Sequence, residues 1–156
     1  MKKGVFMKKF WLILISSLSL MGFTAADARE FFGIRLGFPE LGVQFGSTSV
    51  FGRKIGGRLT ADFGYGNSSV VLGGDILYYL TIPTPGASFD LDVYLGGGVG
   101  VGIGTSGGSI GYNAHAVLGL ELLFTRNISG FIEVRPFGFG NLGYYYGGAI
   151  GVNFRL

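Results

Sequence analysis

The chain has 156 residues and no cysteine. That absence excludes a disulfide framework, a thiolate metal site and a lipid-modified anchor cysteine. Charge is scarce: 13% of residues are Asp, Glu, Lys or Arg, where a soluble domain carries about 25%. Histidine occurs once, at His115, which leaves no multi-histidine metal site. From Arg29 onward no stretch approaches the ~20 consecutive apolar residues of a membrane-spanning helix. Against these shortages, 48% of the chain is hydrophobic and 31 residues are glycine. Glycine averages roughly 7% in soluble domains. So apolar a chain, with so few charges, needs something other than water against much of its surface.

A strongly basic partner preference is also excluded. The formal charge of +3 and pI near 9.3 come from Lys2, Lys3, Lys8 and Lys9, all within the first ten residues. From Arg29 onward eight basic residues balance eight acidic ones, so no nucleic-acid partner is expected. The basic start, an apolar core from Phe10 to Leu20 and the small-residue triplet Ala26-Asp27-Ala28 form the three parts of a secretory signal. We expect residues 1–28 to be a cleavable signal peptide and 29–156 a single exported domain. Met7 opens a second Met-Lys-Lys, and either start leaves a workable leader.

The exported part alternates. Phe89, Leu91, Val93, Leu95, Val99, Val101 and Ile103 share one face of a strand, while Asp90, Asp92, Tyr94, Gly96, Gly98, Gly100 and Gly102 share the other. A period of two is a β-strand. Similar runs separated by turn signals predict eight strands: 30–38, 41–51, 54–65, 69–80, 89–104, 110–124, 130–139 and 144–156. Pro136 lacks the N–H a ladder needs, so we expect a bulge or early end there, which would flip the parity of Phe137 and Phe139. Strands of ~9–11 residues suit a tilted membrane crossing. The expected fold is all-β: an eight-stranded antiparallel up-and-down transmembrane β-barrel, since closure removes open edges and lipid tolerates none.

The faces assign an inside and an outside. Arg35, Gln44, Arg58, Asp62, Asp75, Asp90, Asp92, Asn113, His115, Glu121, Glu133, Arg135, Asn153 and Arg155 share one parity; Leu, Ile, Val and Phe dominate the other. Turning an arginine to mid-bilayer lipid costs about 2–4 kcal/mol. Three of them (Arg35, Arg58, Arg135) could cancel a whole domain's stability of about 5–15 kcal/mol. We therefore expect a lumenal charge network of Arg35, Arg58, Asp62, Asp75, Asp90, Asp92, His115, Glu121, Glu133, Arg135 and Arg155. Val71, Leu77, Val117 and Leu123 share that inner parity as filler. With the first strand rising from the periplasm, Phe32, Phe51, Tyr78, Phe89, Phe124 and Phe154 form an outward periplasmic girdle. Phe38, Tyr65, Tyr112 and Tyr144 form the opposite one.

Two stretches now carry a resemblance. Leu118-Gly-Leu-Glu-Leu-Leu-Phe-Thr-Arg-Asn-Ile-Ser-Gly-Phe-Ile-Glu-Val-Arg135 looks like the strand, short periplasmic turn and strand of the small outer-membrane barrels of OmpA type. Gly151-Val-Asn-Phe-Arg-Leu156 is similar to the C-terminal signal of outer-membrane assembly, with Gly151, Phe154 and Leu156 in its roles; the usual terminal residue is Phe. The resemblance is architectural and covers roughly Glu30 onward. It implies the bacterial outer membrane as location, and outer-membrane lipids, periplasmic chaperones and the barrel-assembly machinery as partners. It also implies a monomer with a structural or minor surface role. No peptidoglycan-binding segment is expected after the barrel, and the expected outer loops are shorter than typical.

Chemistry is poorly represented. Gly102, Gly104 and Gly107 match GxGxxG, but no helix follows to bind a pyrophosphate. Asn67-Ser-Ser and Asn127-Ile-Ser fit the glycosylation sequon, incidental in a bacterial context. A lipid A hydrolase would need a serine near His115 and a site facing acyl chains; His115 has inward parity and no serine nearby in its strand. Asp90 and Asp92 outline no oriented substrate site. We expect no catalytic residue, cofactor or metal. The alternatives are a secreted soluble barrel binding an apolar ligand, with faces reversed, and a lipid A-modifying enzyme. The first would leave a mostly glycine surface in water, a poor soluble surface.

Overall fold

Alternating side chains force each strand to choose sides, and a closed sheet turns that choice into inside and outside. The structure, a computed structural model, describes residues 30–38, 40–50, 54–64, 69–104, 110–141 and 146–156. The expected leader lies outside them. The strands are β1 Glu30–Phe38, β2 Glu40–Ser47, β3 Ile55–Gly64, β4 Ser69–Ile82, β5 Asp90–Gly104, β6 Ile110–Leu123, β7 Ile128–Arg135, β8 Gly138–Gly140 and β9 Gly147–Arg155. All pairings are antiparallel, each of β1–β5 pairing with the next. β6 pairs with both β7 and β8, β7 with β9, and β9 with β1. β7 and β8 are two lengths of one stave, so eight staves close into a barrel. At the seam the ladder runs from Phe31 opposite Arg155 to Phe38 opposite Gly148. The Leu156 N–H adds a bond to the Glu30 carbonyl at 2.9 Å.

Pro136 interrupts the seventh stave. Val134 lies opposite Leu118 and Gly138 opposite His115. Four steps on this stave therefore match three on β6, the signature of a one-residue bulge. The consequence is the parity flip: Phe137 and Phe139 are exposed outside. Gly138 and Gly140 take the inward positions, opposite His115 and Asn113. At Gly140 (φ 149°) a Cβ would fall 2.1 Å from the Tyr112 carbonyl oxygen, so only glycine passes there. The second strand ends earlier than its pattern suggests, at Ser47. A Ser47–Ser49 turn closes that end, where the Ser49 N–H donates to Ser47 Oγ at 3.3 Å.

The outer face is apolar and exposed, with Ile34, Leu36, Leu72, Ile76, Val99, Val101, Leu118 and Ile150 among its members. The inner face holds Phe31, Val71, Leu77, Tyr79, Tyr94, Val117, Leu123, Phe131 and Ala149 between buried charges. Leu77, Tyr79, Tyr94 and Val117 pack together, and the two tyrosine rings lie 5.5 Å apart.

Glycine makes room for this filling. Directly across the ladders, Gly42 meets Asp62, Gly98 meets Asp75, Gly100 meets Asn113, Gly119 meets Tyr94 and Gly151 meets Phe131. In each pair the larger side chain lies flat over the glycine. A Cβ on Gly119 would fall 2.2 Å from the Tyr94 ring. Small-against-large pairing is how a narrow barrel fills without overpacking.

Gly96 tests this. A Cβ there would sit 2.0 Å from the Ile76 carbonyl oxygen, whereas at outward-facing Gly74 the nearest atom is 3.6 Å away. Gly96→Ala should destabilise by about 1–3 kcal/mol through overpacking. Gly74→Ala should be neutral or stabilising by up to about 1 kcal/mol. Urea unfolding of the refolded variants checks both.

Candidate functional site

The charged residues that share the inner parity converge in the barrel axis. Arg58, from the middle of β3, is buried and reaches across to β4 and β7: its Nε lies 2.6 Å from Asp75 and its Nη1 2.6 Å from Glu133. Nη1 also donates to Gln44 Oε1 at 3.3 Å, and the guanidinium stands 6.0 Å above the Tyr94 ring, within reach of a cation–π contact. Glu133 is the hub. It accepts from Arg35 Nη2 at 3.3 Å and from the Tyr94 hydroxyl at 3.1 Å, and Arg135 Nε lies 3.5 Å away. Arg35 Nε lies 3.3 Å from Asp62.

Two further groups extend the network along the axis. Arg135 pairs with Glu40 at 3.4 Å and stands 3.7 Å from Asp62. The latter contact is a charge approach without hydrogen-bond geometry, since Arg135 Nη2 has no hydrogen-bond partner among the described residues. Toward the end holding both barrel termini, Arg155 Nη2 lies 3.1 Å from Glu121 and 3.8 Å from Asp92. Glu121 also accepts from Asn153 Nδ2 at 3.1 Å and from the Ser129 hydroxyl. Gln44 Nε2 donates to Asn153 Oδ1 at 2.7 Å and joins this group to Arg58. Charges taken out of water are tolerable only when so paired.

Most members of the expected network meet here: Arg35, Arg58, Asp62, Asp75, Asp92, His115, Glu121, Glu133, Arg135 and Arg155. Asp90 does not. It has the inward parity but is the first residue of β5, exposed at the rim beyond the buried filler. Glu40 joins although its position beside Pro39 reads as a turn. Ser129 joins because β7 begins at Ile128, earlier than its pattern suggests. Counting parity back from Phe131 and Glu133 would have found it. Tyr79 and Tyr94 are also inner members, Tyr79 by the parity it shares with Leu77.

His115 Nε2 lies 2.9 Å from Asp75 Oδ1. Its other ring nitrogen has no hydrogen-bond partner among the described residues, so no hydroxyl there is set up as a nucleophile. Among those residues no group of three or more His, Asp or Glu side chains is arranged to hold a metal ion.

Of the aromatic positions, Phe32, Tyr78, Phe89, Phe124 and Phe154 are exposed on the outer face toward the end with the barrel termini. Tyr112 is exposed toward the other end, joined by Phe63, Phe137, Phe139 and Tyr146. Phe51, Tyr65 and Tyr144 lie outside the described residues, as does the side chain of Phe38. Ile150, Val152, Phe154 and Leu156 all point outward. Gly151 lies on the inner face, where a Cβ would meet Phe131 and the Ile34 carbonyl.

Fold and interior together define a closed antiparallel eight-stranded barrel with a paired charge network inside. The N-terminal β-barrel domain of Pseudomonas aeruginosa OprF superposes on it with a TM-score of 0.57 and 17% identity, covering 83% of this chain and 98% of that domain. A structure from the de novo design of transmembrane β-barrels gives a TM-score of 0.50 and 15% identity, covering 85% and 98%. At these identities the likeness is one of fold. No protein-family model matches the chain, and no curated protein matches it by sequence.

Removing the hub should expose its worth. Glu133→Ala strips a carboxylate from Arg35, Arg58 and Arg135 and should cost about 3–5 kcal/mol, the penalty for an uncompensated buried charge. Asp90→Ala, at the exposed rim, should change stability by no more than about 0.5 kcal/mol. Denaturant titration of the two variants in one lipid system makes the comparison.

Proposed function

We propose that the protein is a small, monomeric integral outer-membrane barrel with a side-chain-filled lumen and a structural or minor surface role. One observation carries this reading: the distribution of polarity is inverted. Arg58, Glu121 and Glu133 are at most 2% exposed, while Ile76 and Val99 are about 60% exposed. A soluble protein rarely leaves a contiguous apolar patch beyond a few hundred Å²; here the patch encircles the molecule. Hydrocarbon is the medium in which that outer surface is stable and the closed ladder loses nothing.

Two further features support it. Outward aromatics gather toward both ends of the barrel, as expected of interfacial anchors. The final strand carries outward Ile150, Val152, Phe154 and Leu156 after inward Gly151, which suits recognition by an outer-membrane assembly machinery after escort by periplasmic chaperones. Export would rest on the leader in residues 1–28. Catalysis is not part of the reading. His115 faces the axis rather than the acyl chains, and its carboxylate partner Asp75 is already committed to Arg58. A reversed, ligand-binding soluble barrel has no support in this interior, which is charged where such a ligand would sit.

An eight-stranded barrel has an interior only just wide enough for its side chains. The protein should be recovered from outer membranes only with detergent and migrate faster on gels before boiling than after. In planar bilayers it should give no large, stable conductance. Recovery from the periplasm without detergent would refute the proposal, and sustained large openings would refute the filled lumen.

A further inference from the structure

At the end with the barrel termini, the β4–β5 connection and the β6–β7 turn flank a cleft of about 420 Å³, within the usual size of small-ligand sites. Ala87, Phe89 and Asp90 form one wall, and Phe124, Thr125 and Arg126 the other. Both walls are held by their own bonds. Thr84 Oγ1 donates to the Phe89 carbonyl at 2.5 Å and the Ala87 N–H to the Thr84 carbonyl at 3.1 Å. On the other side, the Asn127 and Ile128 N–H groups donate to Thr125 Oγ1 at 3.2 and 3.0 Å. The Phe124 ring lies against outward-facing Gly130, where a Cβ would come within 2.9 Å of it.

The charges of this cleft are distinctive. Eleven ionisable groups pair with one another in the axis, yet Asp90 and Arg126 line one cleft and form no ion pair among the described residues. Both are exposed. One negative and one positive group lining a single cleft, one on each wall, match a ligand that carries both a cation and an anion. Phe89 and Phe124 stand beside them on the outer face, at the level of the terminal-end aromatics.

We propose that this cleft binds the headgroup of a zwitterionic phospholipid. Its phosphate is met by Arg126 and its ammonium by Asp90, with the acyl chains descending past Phe89 and Phe124. The inference rests on the membrane reading above and adds a lipid class and a leaflet, that of the end bearing the barrel termini. An anionic phosphatidylglycerol headgroup offers the same phosphate but nothing for Asp90, so the carboxylate supplies the selectivity.

The experiment uses the full exported chain refolded into vesicles of phosphatidylethanolamine and phosphatidylglycerol, then native mass spectrometry of retained lipid. The wild-type protein should keep phosphatidylethanolamine over phosphatidylglycerol by about two- to fivefold, the yield of one exposed charge contact. Asp90→Asn should abolish the preference, and Arg126→Gln should weaken retention of both lipids, with heat-modifiable mobility unchanged in each variant. Equal retention of the two lipids by inserted wild-type protein, or variants indistinguishable from it, would overturn the headgroup site and leave the membrane reading standing. Failure to insert into the vesicles at all would overturn both.

Discussion

Everything in this barrel depends on keeping its buried ions paired around one axis. Arg35, Arg58, Arg135 and Arg155 face Glu40, Asp62, Asp75, Asp92, Glu121 and Glu133 from six different strands. No local segment can satisfy them, because Arg58 on β3 needs Glu133 on β7, and Arg155 on β9 needs Glu121 on β6. These cross-axis pairs exist only when the sheet is closed. Closure and charge pairing are thus one event, and the network specifies the register as strongly as the backbone ladder does. A slip of one residue in β3 would carry Arg58 and Asp62 to the outer face and take Arg58 away from both Asp75 and Glu133.

Pairing so many ions in a narrow tube demands space, and glycine provides it by position rather than by flexibility. Asp62, Asp75 and Asn113 each lie over a glycine on the neighbouring strand. The glycine face of β5 therefore acts as a smooth wall against which the side chains of β4 and β6 lie flat. A composition that reads in isolation as low complexity has a geometric purpose: Gly42, Gly98, Gly100, Gly119 and Gly151 are each one half of a pair whose other half is a polar or aromatic group.

Much of this was legible from alternation alone. The extent of β1, from Glu30 to Phe38, follows directly from its pattern, and β5 and β6 agree within a residue at each end. The inward set could be read because parity is binary and charges are costly on the wrong side. Pro136 announced its bulge, since a residue without an N–H cannot continue the ladder, and Phe137 and Phe139 changed sides as that implied. What stayed hidden sits at strand ends. Glu40 and Ser129 lie beside turn residues, where composition suggests a loop, and only the neighbouring ladder shows that the chain is already in the sheet. Asp90 misleads in the opposite sense. Parity fixes a direction but says nothing of depth, and a carboxylate one position beyond the filled interior meets the surroundings of the rim.

The unequal heights of the staves follow from the same interplay. β4, β5 and β6 run for 14, 15 and 14 residues, against 9 in β1 and 8 in β2. At ~3.3 Å per residue the tall wall exceeds the short one by about 20 Å along the strand. The charge network occupies the stretch where all eight staves overlap. Beyond it, toward the β5–β6 loop, the tall wall's inner face is Gly100, Gly102 and Gly111 with Val71 and Asn113, and carries no ion. The paired ions are thus confined to the fully enclosed part of the tube, where partners arrive from several sides. Where the enclosure is incomplete, a charge would have fewer partners, and the sequence places small neutral residues instead. The ion pairs and the closed wall mark out the same volume because each is stable only in the presence of the other.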